Sequence, residues 1–157
     1  MGKIPEDSSE RELLRVLQEN SQRSLRELSK ELGLPISTVH EKIKRLERGG
    51  LIRGYHAILD ERKLGFGVTG FILVSISYLN APKTSQAEIA AKAAKLPNVQ
   101  EVHIIAGEWD LMVKAKAKSV EELGKFVTER LRNISGVEKT LSLIVYETVK
   151  EEALLDL

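Results

Sequence analysis

Residues Ser24 to Tyr55 decide how this sequence folds: SLRELSKELGLPISTVHEKIKRLERGGLIRGY. Ser24 and Glu27 have the spacing of a capping box, in which the two side chains accept hydrogen bonds from free backbone N–H groups at the start of a helix. Gly33 suits the left-handed conformation in which many helices end, because it has no Cβ. The stretch therefore predicts a first short helix between Ser24 and Gly33.

A second helix is predicted directly after it. Pro35 forces a new start, because its ring fixes φ and disfavours helical geometry in the residue before it. The new helix runs from Ile36 to about Arg48 and stops at two consecutive glycines. Its apolar and polar side chains fall on opposite sides at helical spacing. The apolar side holds Val39, Ile43 and Leu46, and the polar side holds Ser37, Glu41, Lys44 and Arg48.

Two unlike faces of this kind are typical of a DNA-recognition helix, which packs on a partner helix and offers polar and basic side chains to a major groove. The candidate DNA contacts are Ser37, Thr38, His40, Glu41, Lys44, Arg45, Arg48 and Arg53. A structural helical hairpin with a solvated basic face fits the same pattern. Two roles are open for Glu41. Its carboxylate is able to accept a hydrogen bond from cytosine N4, although it repels phosphate. A solvated side chain that contacts no DNA fits the sequence as well.

The flanking residues complete a first domain. Ser9 and Glu12 also have capping-box spacing, which predicts a helix from about residue 10 to residue 20. Residues 51–59 alternate apolar and polar side chains, which predicts a strand. A charged, glycine-containing connector follows at residues 60–66. We therefore predict a helix-turn-helix domain at 1–59, a linker at 60–66 and a second domain at 67–157.

The second half has the strand and helix order βαββαβ. The predicted strands are Phe71–Tyr78, Val99–Ala106, Leu111–Ala117 and Val137–Glu147, with capped helices at 85–96 and 119–134 between them. A four-stranded antiparallel sheet with both helices on one face, a ferredoxin-like sandwich, satisfies this order, so the fold class is α+β. The opposite sheet face needs cover for its apolar residues, and a second copy supplies it, which predicts a homodimer.

These patterns resemble the Lrp/AsnC family, also called feast/famine regulators. The matching pieces are LSKELGL, STV, IKRLE and GGLIRGYHAILD in the first half, and the βαββαβ order with a G-x-aromatic-D turn between the middle strands in the second. Four positions depart from the family pattern. Glu41 and Glu108 are two of them, and Trp109 is a third, where the family more often has Tyr or Phe. Pro35 also replaces a common capping serine.

The resemblance implies a site between dimers that binds a free amino acid. Carried over by position, its residues are Gly107, Trp109, Asp110, Thr140 and Ser142. Asp110 would pair with an α-ammonium group. Thr140 and Ser142, with the backbone N–H groups beside Gly107, would hold a carboxylate. From the residues alone, the same turn is an ordinary hairpin turn with a capping aspartate.

Composition bounds the remaining possibilities. Hydrophobic residues make up 42% and charged residues 30% of the 157 positions, with a net charge of +1, which is typical of a globular protein. The sequence has no cysteine and no spanning apolar run, and its polar N-terminus lacks a signal peptide's core, so we expect a cytoplasmic protein with no membrane partner. The three histidines fall on different predicted elements, so no metal site is expected. The sequence has no G-x-S-x-G, Walker or Rossmann glycine motif, so no catalytic residue or cofactor is expected either.

We therefore expect a sequence-specific transcriptional regulator rather than an enzyme. Its partners would be double-stranded DNA and a small-molecule effector, an amino acid on the family pattern. Homodimers would assemble further into tetramers or octamers. Two alternatives remain: a haem-pathway decarboxylase on the same fold, for which His103 is the one candidate ligand, and a ligand-driven oligomeric scaffold that does not read DNA.

Overall fold

The computed structural model describes residues 7–77, 85–152 and 154–157. It divides into two compact units. The first runs to Ile58 and also contains Lys150–Leu157, and the second is Leu59–Val149. The C-terminal tail therefore groups with the first unit, whereas the sequence placed it with the second domain. The boundaries 1–59, 60–66 and 67–157 stay a prediction.

Three helices form the first unit. They are α1 at Ser8–Glu19, α2 at Leu25–Leu32 and α3 at Ile36–Arg48. Their apolar stripes meet in one core, because each helix carries hydrophobic residues three or four positions apart. The buried members are Leu13, Val16, Leu17, Leu28, Val39 and Leu46. The helix-turn-helix architecture predicted from the sequence is confirmed.

Local capping fixes where these helices begin. The Ser24 and Glu27 capping box is present, and Gly33 ends α2 in the left-handed region at φ 63°. The predicted box at Ser9 and Glu12 is wrong. Asp7 caps α1 instead, since its carboxylate accepts from the Ser9 backbone N–H at 2.9 Å.

The predicted strand at residues 51–59 does not form. Extended backbone is stable when its N–H and C=O groups pair with a second strand, and these residues pair with none within the described part of the chain. The Leu46 carbonyl instead accepts from the N–H groups of Leu51 and Ile52, at 3.0 and 3.2 Å. The segment therefore leaves α3 through a turn that extends the helix end.

The second unit is a four-stranded antiparallel sheet with the order β2-β3-β1-β4. Its elements follow the predicted βαββαβ sequence, which confirms the ferredoxin-like fold. They are β1 at Val68–Ile76, α4 at Gln86–Ala93, β2 at Val99–Ile104, β3 at Leu111–Ala117, α5 at Val120–Phe126, a π-helical turn at Val127–Leu131, and β4 at Val137–Ile144. Tyr78, the predicted end of the first strand, lies outside the described residues.

One face of this sheet carries the helices. Alternate residues of β1, at Ile72, Val74 and Ile76, are buried in one cluster with Ile89 of α4 and Leu123 of α5. Because side chains alternate across a strand, the residues between them point to the opposite face. We call that opposite surface the open face. Its large apolar members are Phe71, Leu73, Met112, Leu141 and Leu143.

The residues predicted as a linker fold with the sheet domain. The chain turns at residues 61–65, and the Glu61 carboxylate forms an ion pair with Lys116 of β3. It also accepts from Gln100 Nε2 at 2.5 Å. Lys118 Nζ lies 5.9 Å from the Phe66 ring centroid, a cation–π distance. These contacts hold the segment against the second unit.

Candidate nucleic-acid interface and effector site

The outer side of α3 presents a row of exposed polar side chains. Ser37, Glu41, Lys44 and Arg48 are spaced by four, three and four positions, so they share one side of the helix. The opposite side is buried through Val39 and Leu46. His40 and Arg53 are also exposed, and Thr38 is half-buried. We call the first four residues the recognition row.

Two members of the recognition row are held in place by neighbouring groups. Lys44 Nζ donates to Glu47 Oε2 at 3.0 Å, and Arg48 Nε donates to the Lys44 carbonyl at 3.2 Å. The bond from Lys44 is the largest cause that lowers the pKa of the Glu47 carboxyl below its ordinary value. To bind a DNA phosphate, the Lys44 ammonium group must therefore either keep Glu47 as a second partner or break its hydrogen bond to Glu47.

Arg45 differs from Lys44 and Arg48, because its guanidinium pairs with a carboxylate on another helix. Arg45 Nε donates to Glu10 Oε1 at 2.8 Å, and a second guanidinium nitrogen contacts the same oxygen. Glu10 is largely buried on α1. Lys42, one position outside the recognition row, likewise pairs with Asp7. These two pairs tie α3 to α1, and sequence reasoning missed both because the partners lie 35 residues apart.

The turn between β2 and β3 contains three of the five effector candidates. Gly107 adopts φ 135°, a conformation that a side chain would strain. Trp109 is half-buried and Glu108 is exposed. The Asp110 backbone N–H donates to the Val74 carbonyl at 2.9 Å. The turn is therefore fastened to the end of β1.

The Asp110 carboxylate takes part in the same fastening. Its Oδ2 accepts from the Ile76 backbone N–H at 2.7 Å, and its Oδ1 accepts from Gln86 Nε2 at 3.2 Å. Gln86 is the first residue of α4. A carboxylate offers about four acceptor positions, so fastening the turn is compatible with contact to a cationic ligand.

The other two effector candidates lie one strand away from the turn. Thr140 pairs with Val74 and Ser142 pairs with Ile72 in the antiparallel register of β4 against β1. Paired residues share a face, so both side chains lie on the helix-covered side. Thr140 is half-buried and Ser142 is exposed. Val74 adjoins both Asp110 and Thr140, which brings the turn and the last strand within about two strand spacings, roughly 10 Å.

The remaining histidine of interest lies on the edge strand β2. His103 Nε2 is 3.1 Å from Glu101 Oε2, and Lys114 Nζ donates to Glu101 Oε1 at 3.1 Å. These two contacts lower the pKa of Glu101 below its ordinary value. Across residues 7–77, 85–152 and 154–157, no group of three His, Asp or Glu side chains is arranged to hold a metal ion. Over the same ranges, no helix is both long and apolar enough to span a bilayer.

Comparison with known proteins agrees with this geometry over both units. The Lrp/AsnC ligand binding domain matches residues 71–155, and a winged helix-turn-helix DNA-binding domain matches residues 6–53. An HTH-type transcriptional regulator of Pyrococcus abyssi is 44% identical over 146 residues, which are 93% of this chain and 96% of that protein. The HTH-type transcriptional regulator FL11 of Pyrococcus horikoshii is 38% identical and covers 95% of each chain.

Solved structures are similar along nearly the whole chain. A transcriptional regulator of Neisseria meningitidis in complex with L-Met has a TM-score of 0.86 at 30% identity, with 96% of each chain covered. Escherichia coli AsnC, at 23% identity and a TM-score of 0.83 over 94% of this chain and 97% of that one, has the same fold.

The fold and the two matched domains define a transcriptional regulator that joins a helix-turn-helix DNA-binding domain to a small-molecule-binding domain. The chain belongs to the Lrp/AsnC family.

Proposed function

We propose that this regulator binds specific DNA sequences as an assembly of identical subunits, and that a free amino acid changes that assembly. The observation that carries the DNA part is the recognition row. Its four exposed side chains lie on a helix whose other side is buried in the three-helix core. This exposure supports a DNA-reading role, because it leaves the recognition row accessible to a major groove.

Specific binding requires more than one copy of α3. The segment Lys42–Arg53 carries five basic residues and one acid, and two of the five already pair with α1 or its capping residue. So few phosphate contacts give weak binding that depends strongly on salt. Two linked copies bind far more tightly, because the second contact becomes intramolecular.

The open face supports the homodimer that supplies the second copy. Leu141 and Leu143 of β4 are 44% and 46% exposed, and they pair across the sheet with Leu73 and Phe71. Apolar side chains grouped on one sheet face mark an interaction surface. Packing against the same face of a second copy makes a closed two-fold dimer, since the surface is then its own complement. Dimers would associate further into tetramers or octamers.

The amino-acid effector is supported by the chemistry of the turn and by one relative. The Neisseria meningitidis regulator was solved with L-Met. In this chain the Asp110 carboxylate suits an α-ammonium group, and the Thr140 and Ser142 hydroxyls suit a carboxylate. Glu108 in the turn is exposed and adds negative charge, so the preferred side chain need not be that of methionine.

DNA binding to the region upstream of the protein's own gene tests the proposal. We expect binding that resists competitor DNA and falls by about a thousandfold or more between about 50 and 200 mM salt, if the assembly contacts six or more phosphates. Adding the pooled amino acids should change the affinity or the size of the complex. Specific binding that does not respond to amino acids would disprove the effector part of the proposal. Binding that is weak and non-specific even at low salt would disprove the DNA part.

A further inference from the structure

The segment that leaves the recognition helix is held by one side-chain contact beyond its first turn. Gly49 and Gly50 end α3, and Gly50 adopts φ 72°. Ile52 packs against the three-helix core and fixes the turn. Gly54 allows the backbone a wide range of conformations, because it has no Cβ. Ile58, four residues later, is 98% exposed and packs against no core. Nothing in the backbone pattern of residues 53–58 fixes their direction.

Tyr55 supplies the missing constraint. Its hydroxyl donates to Glu47 Oε1 at 3.3 Å, across eight residues, while Glu47 Oε2 accepts from Lys44 Nζ. Within residues 53–58, all of which the structure describes, this is the hydrogen bond that reaches back to the rest of the first unit. One carboxylate therefore joins a member of the recognition row to the outgoing chain. Partial burial, and then the charge of Glu47, raise the pKa of Tyr55 above its ordinary value.

We infer that Glu47 and Tyr55 are positioning residues whose hydrogen bond sets the direction of the chain leaving the recognition helix, and thereby the half-site spacing that a dimer accepts on DNA. The inference rests on the proposed function, because spacing has a meaning only when two recognition helices are joined. Residues 53–58 are the tether between the recognition helix and the rest of the chain. If the direction of the tether is fixed before DNA binds, the dimer favours the one half-site spacing that this direction matches. With a flexible tether, the dimer reaches more half-site spacings but binds each one less tightly, because the tether loses conformational entropy on binding.

Selection from random duplex DNA with the full-length protein measures the spacing directly. The pool carries about 40 random base pairs, enough for half-sites one to three helical turns apart. Four variants are compared with the wild type: Tyr55→Phe, Glu47→Gln, Glu47→Ala and the matched control Tyr146→Phe. Tyr146 is fully exposed, so its change removes the same hydroxyl without breaking a bond within the described part of the chain.

We expect the wild type and Tyr146→Phe to enrich paired half-sites with one dominant spacing. Tyr55→Phe should enrich the same half-site sequence over several spacings, with affinity for the wild-type spacing reduced about threefold, as the loss of one exposed hydrogen bond predicts. Glu47→Ala should broaden the spacing in the same way, but its affinity is not compared, because the lost carboxylate also frees Lys44 for phosphate. Glu47→Gln keeps an oxygen that accepts from Tyr55, so it should restore much of the single spacing.

Three results would overturn the inference without disproving DNA binding, and they differ from one another. An unchanged spacing distribution in Tyr55→Phe shows that the bond sets no direction. A changed half-site sequence in Tyr55→Phe shows that Tyr55 acts through base recognition instead of through the tether. If the wild type enriches single half-sites, the protein binds specific DNA but imposes no half-site spacing. If the wild type enriches no sequence, the proposed function itself fails, and the inference fails with it.

Discussion

Gly70 is the residue on which close packing of α5 against the sheet depends. A Cβ at this position would lie 2.6 Å from Leu123 Cδ2, and Leu123 is itself buried in the core of the second unit. We predict that Gly70→Ala lowers the free energy of unfolding by about 1–3 kcal/mol, the usual cost of overpacking. Urea denaturation measures the change. Gly67→Ala is the control, because a Cβ there meets no atom within 4 Å, and equal losses in the two variants would refute the packing argument.

Asp7 links helix capping to the ion pair between α1 and α3. The hydrogen bond from Lys42, followed by those from Ser9, holds the pKa of Asp7 well below its ordinary value of 3.8. A carboxyl with a lowered pKa stabilises the fold at neutral pH, and this contribution disappears as the pH falls through the lowered value. An asparagine side chain in its place would keep a capping oxygen but lose the charge.

Thermal unfolding of Asp7→Asn at several pH values tests this linkage. We predict a lower midpoint than the wild type at pH 7, with a difference that narrows as the pH falls below 3.8. A difference that stays constant over the whole pH range would show that the charge of Asp7 contributes nothing to stability.

Residue roles could be predicted from the sequence where the partners are local. The capping box at Ser24 and the left-handed Gly33 depend on neighbours within a few positions, and both are present. The role of Arg45 could not be predicted, because its partner Glu10 is distant in the chain. The capping role of Asp7 could not be predicted, because Ser9 has capping-box spacing to Glu12 and matched the pattern for a helix start equally well.

At the scale of the element, the recognition row on α3 contains one residue of the wrong charge for DNA. Glu41 is exposed between Ser37 and Lys44 on the recognition row. We predict that Glu41→Gln raises affinity for a non-specific duplex about two- to fivefold at low salt, because a like charge near phosphate is removed. Fluorescence anisotropy at low and high salt measures the gain, which should shrink as salt screens the charge.

Glu129→Gln provides the control for the net charge of the chain, because it makes the same change on an exposed residue of the sheet domain. An equal gain in both variants would mean that overall charge is responsible. No gain from Glu41→Gln would favour the solvated, silent role for this side chain.

Element boundaries were predictable where periodicity decides them. The range of α3 is the predicted one, since an apolar stripe between Pro35 and two glycines leaves little choice. The π-helical turn at Val127–Leu131 has no signature in the sequence pattern. The strand expected at residues 51–59 is absent, because alternation shows that a segment is able to pair and does not supply the partner.

At the scale of the whole molecule, the proposed dimer depends on the open face. We predict that Leu143→Glu converts a dimer to a monomer, because it places a charge in the apolar interface with Phe71 and Leu73 nearby. Light scattering coupled to size exclusion measures the mass. Val120→Glu is the control, since Val120 is also exposed but lies at the start of α5. A monomeric wild type, or a dimer that survives Leu143→Glu, contradicts the proposed interface.

The sequence was sufficient for the fold class and insufficient for the arrangement of the candidate effector site. The βαββαβ order and its alternating strands determine the sheet topology almost uniquely. The engagement of Asp110 with Ile76 and Gln86 depends on the strand register, which the sequence does not state. The grouping of the tail with the first unit was likewise hidden, because Gln18 and Leu155 are 137 residues apart.

That last contact has a consequence for how the protein is made. The Gln18 amide both donates to and accepts from the Leu155 backbone, at 3.0 and 2.9 Å. Domains generally fold as units during synthesis, starting from the N-terminus. Here the hydrogen bonds between Gln18 and Leu155 can form only after a further 137 residues have been synthesised. A translation product truncated before Leu155 would therefore carry a DNA-binding unit without these two hydrogen bonds.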